Sequence, residues 1–141
     1  MPWTTEDEIA WTLTNPFRQF LGVEVAFVDG PVAEITLPVH ERLLQAYGMV
    51  HGGIYCVLID TVLGTAVRGA SGADSRPLTV DLNVSFLRPA GRGRLRARAS
   101  IIKHGRQVTV GNADVFDDQD RKVATGRGSF LLGKPSPDES G

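Results

Sequence analysis

Apolar and polar residues alternate with a period of two through several stretches of the chain, the mark of strands with one buried face. Between Val32 and Val39, the positions Ala33, Ile35, Leu37 and Val39 alternate with Val32, Glu34, Thr36 and Pro38. Thr79 to Leu87 sets Val80, Leu82, Val84 and Phe86 on one side. Arg94 to Ile102 opposes Leu95, Ala97, Ala99 and Ile101 to Arg94, Arg96, Arg98 and Ser100. Three further segments, Phe20 to Val28, Arg106 to Phe116 and Lys122 to Leu132, complete a predicted set of six strands. Asp29-Gly30-Pro31, Pro89-Ala90-Gly91, His104-Gly105 and Asp117-Asp118-Gln119-Asp120 supply the breaks between them.

Two segments follow other rules. Gly52 to about Arg68 is apolar nearly all round, through Ile54, Val57, Leu58, Ile59, Val62, Leu63, Ala66 and Val67. Such a helix, roughly 25 Å long, is expected to be enclosed by protein on most sides. Gly69-Ala70-Ser71-Gly72 is expected to stop it. Thr5 to Leu13 reads as a short helix, with Thr5 as cap, Glu8 as the return half of a capping box, and Ile9 and Leu13 facing inward. Asn15-Pro16 ends it. Leu43 to Gly48 is irregular, and Lys134 to Gly141 is a polar tail expected to be mobile. The order is α+β: strands of one antiparallel sheet around one apolar helix. A sheet this small leaves an edge or a face for a partner subunit.

With 141 residues the chain has the length of one domain, and 42% apolar residues suffice for one core. A net charge of -1 excludes a general nucleic-acid binder. The single cysteine, Cys56, cannot form an intrachain disulfide and is expected in the helix core as an inert thiol. Met1 to Glu8 has no signal-like region, and Gly52 to Val67, broken by Asp60 and two threonines, falls short of a clean span of ~20 apolar residues. A cytoplasmic protein, with no membrane partner, is expected.

Asp60 is the odd residue of the apolar helix. Its neighbours one turn away are Cys56, Val57, Leu63 and Gly64, with no Lys or Arg among them. Burying a carboxylate costs several kcal/mol unless it is paired, so Asp60 either bonds a neighbouring element or carries chemistry. Gly52 and Gly53 open the same helix, where free N–H groups and the positive dipole end can receive an anionic or carbonyl oxygen. Eight residues separate Gly52 from Asp60, roughly 12 Å along a helix. One small reacting carbonyl cannot touch both in one chain, so their cooperation predicts at least a homodimer with shared sites.

The pieces "GMVHGGIYCVLIDTVLGTA" and "TVDLNVSFLRPAGRGRL" resemble the hotdog fold, and more narrowly the PaaI-like acyl-CoA thioesterases, over about Phe17 to Leu132. The resemblance implies an antiparallel sheet wrapped around one long central helix, and hydrolysis of an acyl-CoA to acid and CoA. It gives Asp60 the role of nucleophile or general base and Gly52 that of oxyanion N–H donor. Gln45, six residues before His51, takes the place of a side-chain amide that positions water or substrate. Such members commonly carry Asn there, whereas the hydroxybenzoyl-CoA type pairs Gln with Glu; this chain joins Gln45 to Asp60. Thr79 falls where a hydroxyl often holds the water, or is an ordinary strand threonine. His51 either positions the thioester or bonds local backbone.

The turn Lys103-His104-Gly105-Arg106-Gln107 offers cations and backbone N–H groups for the phosphates of CoA, and the resemblance assigns it, with Gly53, to the substrate path. Arg88 and Arg127 are lesser candidates. Arg94, Arg96 and Arg98 read as a solvated face. His40, His51 and His104 are widely spaced with no completing cluster, so neither a metal nor another cofactor is expected. The assembly expected is a homodimer at least, with a dimer of dimers, a homotetramer, as its larger form. A non-catalytic acyl-CoA-binding protein is the alternative. A hydratase is disfavoured, because that chemistry on this fold uses an Asp and a His five residues apart. The acyl group, aryl or medium-chain, stays open.

Overall fold

The computed structural model describes residues 1–133; the Lys134–Gly141 tail lies outside the described residues. Two helices, α1 (Thr5–Leu13) and α2 (Pro16–Leu21), precede strands β1 (Glu24–Asp29) and β2 (Val32–Pro38). A 3-10 turn at Glu41–Leu43 leads to the long helix α3 (Gly52–Ser71). Strands β3 (Arg76–Phe86), β4 (Arg94–His104), β5 (Val108–Phe116) and β6 (Lys122–Gly133) follow. All pairings are antiparallel, in the order β1-β2-β4-β5-β6-β3. The crossover through α3 carries the chain from β2 to the far edge, so β3 closes the sheet opposite β1.

The inward sides of β2 and β4 are the residues the alternation predicts: Ala33, Ile35, Leu37, Leu95, Ala97 and Ala99 are buried against α3. Leu58, Ile59, Val62, Leu63, Ala66 and Val67 supply the helix side of the same core. By length and composition alone α3 passes for a membrane span; packed in the sheet it is the core helix. The outer arginines are paired across strands rather than simply solvated. Arg94 bonds Glu24, and Arg96 reaches Glu34 at 3.0 Å and Asp120 at 3.2 Å. The Arg98 guanidinium lies 5.4 Å from the centre of the Phe27 ring.

The N-terminal region departs from expectation. The cap of α1 is Thr4, not Thr5, and its capping-box partner is Asp7, not Glu8. Thr5 Oγ1 instead receives the Val28 N–H at 2.9 Å, closing the outer edge of β1. Ile9 and Leu13 point outward, and Glu8 and Thr12 are buried in their place. The segment read as the start of a strand at Phe20 is helical to Leu21. Asn15 stops α1 but also caps α2, with Pro16 at the favoured first position and Gly22 ending it in the left-handed region. Cys56 is half-buried rather than a core thiol.

β3 breaks its predicted alternation at a bulge, where Thr79 pairs with Phe130 and Asp81 with Ser129. Val80 is the extra residue and is 57% exposed, as is Phe86, whereas Leu82 and Val84 pack on the core. Phe86 turns instead toward the start of α3, its ring 6.2 Å from that of Tyr55.

Candidate active site

The bulge has a chemical consequence. Thr79 comes to face α3, and its Oγ1 donates to Asp60 Oδ1 at 2.6 Å. Asp60 is therefore half-buried and hydrogen-bonded, not enclosed and unpaired. A hydroxyl donating to one carboxylate oxygen restrains the group, and among the described residues Oδ2 has no partner and can accept or attack. The carboxylate opens on a cleft of about 250 Å³ between α3, the N-terminal helices and β3, whose lining includes Trp11, Phe17, Gly64, Arg68 and Phe130.

At the start of the same helix His51 is the cap. Its Nδ1 accepts from the Gly53 N–H at 2.9 Å, so the neutral ring carries its proton on Nε2. His51 thus bonds local backbone, and Gly53, expected on the substrate path, has its N–H committed. The Ile54 N–H goes to the His51 carbonyl at 2.9 Å. Among the described residues the Gly52 N–H alone of these three has no partner. It is the open donor at the positive end of α3. The Phe86 ring packs against the Cα side of Gly52, 3.3 Å from where a Cβ there would stand.

Gln45 lies in the loop ahead of the helix. Its Oε1 accepts from the N–H of Tyr47 at 2.5 Å and of Met49 at 3.4 Å, which leaves its amide NH2 available as a donor. Arg88 lies just past Phe86, with its side chain exposed. The turn from Lys103 to Gln107 sits at the opposite end of α3. His104 Nε2 and Ser71 Oγ are hydrogen-bonded at 2.8 Å, and a cleft of about 640 Å³ there includes Gly105 and Arg106. Arg127 Nε donates to Asn112 Oδ1 at 3.3 Å across the outer sheet face. One chain thus joins Asp60 to Thr79, and places Gln45 in the loop leading to Gly52. It does not bring Gly52 to Asp60, nor to the cationic turn, because the length of α3 stands between them.

Behind the cleft stands a polar cluster that no hydrophobic period announces. Glu8, fully buried, accepts from Arg18 Nη1 at 2.9 Å, from Arg68 Nε at 3.0 Å, and from Arg68 Nη2. Thr65 and Trp3 donate to it as well. Burial pushes the Glu8 carboxyl up, but the hydrogen bond and charge of Arg68, the charge of Arg18 and the Trp3 hydrogen bond outweigh it and hold the group at about 2. Burial lowers the Arg18 guanidinium below its usual range, and the charge of Arg68 adds to this against the opposing pull of Glu8. The signal in the sequence was Arg68 itself, a cation inside an apolar helix that requires a carboxylate from elsewhere.

A six-stranded antiparallel sheet packed around one long helix is the hotdog fold. The chain belongs to the thioesterase superfamily, whose model matches residues 47–124. A protein of Halobacterium salinarum whose name proposes an esterase is 43% identical over 80% of this chain and 82% of its own. The 1,4-dihydroxy-2-naphthoyl-CoA hydrolase of Escherichia coli is 25% identical over 77% of this chain and 79% of its own. The PaaI protein from the phenylacetic acid degradation operon of E. coli superposes with a TM-score of 0.83 at 25% identity, over 92% of this chain and 93% of that one.

Proposed function

We propose that the chain is an acyl-CoA thioesterase working as a homodimer, with each site built from Gly52 of one subunit and Asp60 of the other. The observation that carries this reading is the Thr79–Asp60 hydrogen bond, which orients a carboxylate at a cleft without consuming both its oxygens. The thioester carbonyl accepts from the Gly52 N–H, where the helix dipole steadies the developing oxyanion, an effect on the order of a few kcal/mol in comparable sites. Asp60 either takes a proton from water, whose oxygen adds to the carbonyl carbon so that collapse of the adduct expels the CoA thiolate, or adds directly and expels the thiolate to form an anhydride that water then opens. In both routes the thiolate receives the proton that the water gives up. The Gln45 amide, near the Gly52 end, positions substrate or water. Thr79 acts through Asp60, and His51 by ordering the first turn.

The two-subunit site rests on the roughly 12 Å of helix between Gly52 and Asp60. It is supported by β3, an open edge with Leu78, Val80 and Phe86 exposed, the kind of edge that pairs with a second copy. A facing subunit also carries the turn of Lys103, His104, Gly105, Arg106 and Gln107 to the Gly52 end, beside Arg88, where the CoA phosphates need cations. On the outer face of the sheet Leu131 lies between Leu78 and Val108, an exposed apolar row that supports a dimer of dimers. Aryl and medium-chain acyl-CoAs are the substrates to test.

Thiol release from aryl- and acyl-CoAs tests the reading, with wild type beside Asp60→Asn. Turnover that falls by a hundredfold or more in a folded variant supports it. Full turnover in Asp60→Asn overturns the role of Asp60, and binding without turnover in wild type leaves a carrier of CoA esters.

A further inference from the structure

We propose that the cleft between the N-terminal helices and α3 is the acyl pocket, and that Arg68 selects acyl groups bearing an anionic oxygen at the end remote from the thioester. This rests on the thioesterase reading above and adds the residue that reads the acyl group. Asp60, Gly64 and Arg68 follow one another at intervals of four on α3, so they share one face. Trp11, Phe17 and Phe130 give that face apolar aromatic walls. Gly64 has no side chain to fill the space between the two charged residues. Eight residues of helix separate Asp60 from Arg68, a rise of roughly 12 Å, but the Arg68 side chain reaches back to Gly64, which leaves roughly one turn of helix, enough for one aromatic ring, between Asp60 and the guanidinium.

Arg68 is about nine-tenths buried, and its Nε and Nη2 are held by Glu8. Among the described residues its Nη1 has no partner, and it lies 3.9 Å from where a Cβ on Gly64 would stand. A third nitrogen is thus presented to the cleft while the other two are fixed, with the guanidinium also 5.4 Å from the centre of the Trp11 ring. The charges agree with this geometry. Among the described residues, two buried guanidiniums share one carboxylate, which leaves the cluster with an excess positive charge. A buried uncompensated charge is costly, and an anionic ligand oxygen relieves it. Asp60 at the opposite end repels the same oxygen, so the acyl group enters with its anionic end toward Arg68 and its carbonyl toward Asp60.

Binding of stable thioether analogues tests the pocket without requiring turnover. Wild type should bind 4-carboxyphenacyl-CoA at least about tenfold more tightly than 4-methylphenacyl-CoA of similar size, the difference one charge-assisted hydrogen bond supplies. Arg68→Lys keeps a cation for Glu8 but has no second arm, so the ratio should fall toward one. Gly64→Ala adds a methyl at ordinary contact distance from Nη1 and favours the helix, so its Tm should not drop. It should nevertheless weaken both analogues by about tenfold, because the methyl occupies the ring's path. A wild-type ratio below this, a ratio retained in Arg68→Lys, or full binding in Gly64→Ala overturns the proposal. If Arg68→Lys does not fold, the wild-type ratio and Gly64→Ala decide. Substituent preference without thiol release from any CoA ester keeps the pocket and sinks the enzymatic reading; thiol release without preference does the reverse.

Discussion

Thr79 on β3 holds Asp60 on α3 through a 2.6 Å hydrogen bond, and it can do so because a bulge at Val80 turns its side chain toward the helix. Thr79 is then a positioning residue. Thr79→Val should lower kcat by about tenfold to a hundredfold, the loss expected when a reacting group is held in a looser geometry, with a smaller change in KM. Thr79→Ser, which restores the donor, should recover most of the rate. A merely structural threonine would show equal effects for Ser and Val, or none.

Gly52 occupies the first helical position, the place where proline is best tolerated. His51 before it has φ -61 and ψ 135, the extended conformation that a following proline requires. Gly52→Pro therefore removes the one open N–H while leaving the helix start intact. The Phe86 ring has to give by a few tenths of an ångström. Loss of an oxyanion donor should cost about a hundredfold to a thousandfold in kcat. Gly52→Ala makes the same contact with Phe86 but keeps the N–H, and should retain far more activity. Equal losses in the two variants would place the effect in packing instead.

The sheet and the long helix were legible because their signals are periodic and their faces simple: Ala33, Ile35 and Leu37 on β2, and Leu95, Ala97 and Ala99 on β4, are buried as the alternation required. Asp60 and Gly52 stood out as chemically unusual positions on an apolar helix. The inward face of the N-terminal helix is not legible in the sequence because it is polar. Glu8 and Thr12 are buried by ion pairs and hydrogen bonds to Arg18, Thr65 and Arg68, and no hydrophobic period announces such a face. The bulge at Val80 was equally silent, since an apolar residue there completes a perfect alternation that the backbone does not follow. That the Gly53 N–H is used by His51 is a matter of one side-chain rotamer, which spacing does not encode.

The Glu8 cluster makes stability depend on acid. Glu8 sits at about 2 in the folded chain against an ordinary value of 4.5. A carboxylate lowered on folding stabilises fully above its unfolded value and loses that contribution as pH falls toward the folded value. The fold should therefore lose stability between about pH 4.5 and pH 2. Glu8→Gln should be less stable at neutral pH by about 3–5 kcal/mol, because it leaves two guanidiniums uncompensated. Its urea midpoint should also vary less over the acidic range than that of wild type. An unchanged midpoint at pH 7 would show that the cluster does not hold α1 and α2 to the core.

The separation of Gly52 and Asp60 along α3 makes a prediction that a single-chain site cannot imitate. Asp60→Asn and Gly52→Pro are each expected to be nearly inactive alone. In a mixed dimer the Asp60→Asn subunit still supplies an intact Gly52, and the Gly52→Pro subunit an intact Asp60. One of its two sites is then wholly wild type and the other carries both changes. Random association of equal amounts gives half mixed dimers, so activity should recover to about a quarter of wild type for a symmetric dimer. Unfolding and refolding the two variants together allows the exchange, and thiol release reads it. Refolding each variant separately and then mixing, without exchange, gives the baseline. If the co-refolded mixture, shown by mass spectrometry to contain mixed dimers, stays at that baseline, Gly52 and Asp60 do not act on one carbonyl. If Val80→Lys on the open edge of β3 also yields a folded monomer without turnover, the surface that completes the site is the one that β3 exposes.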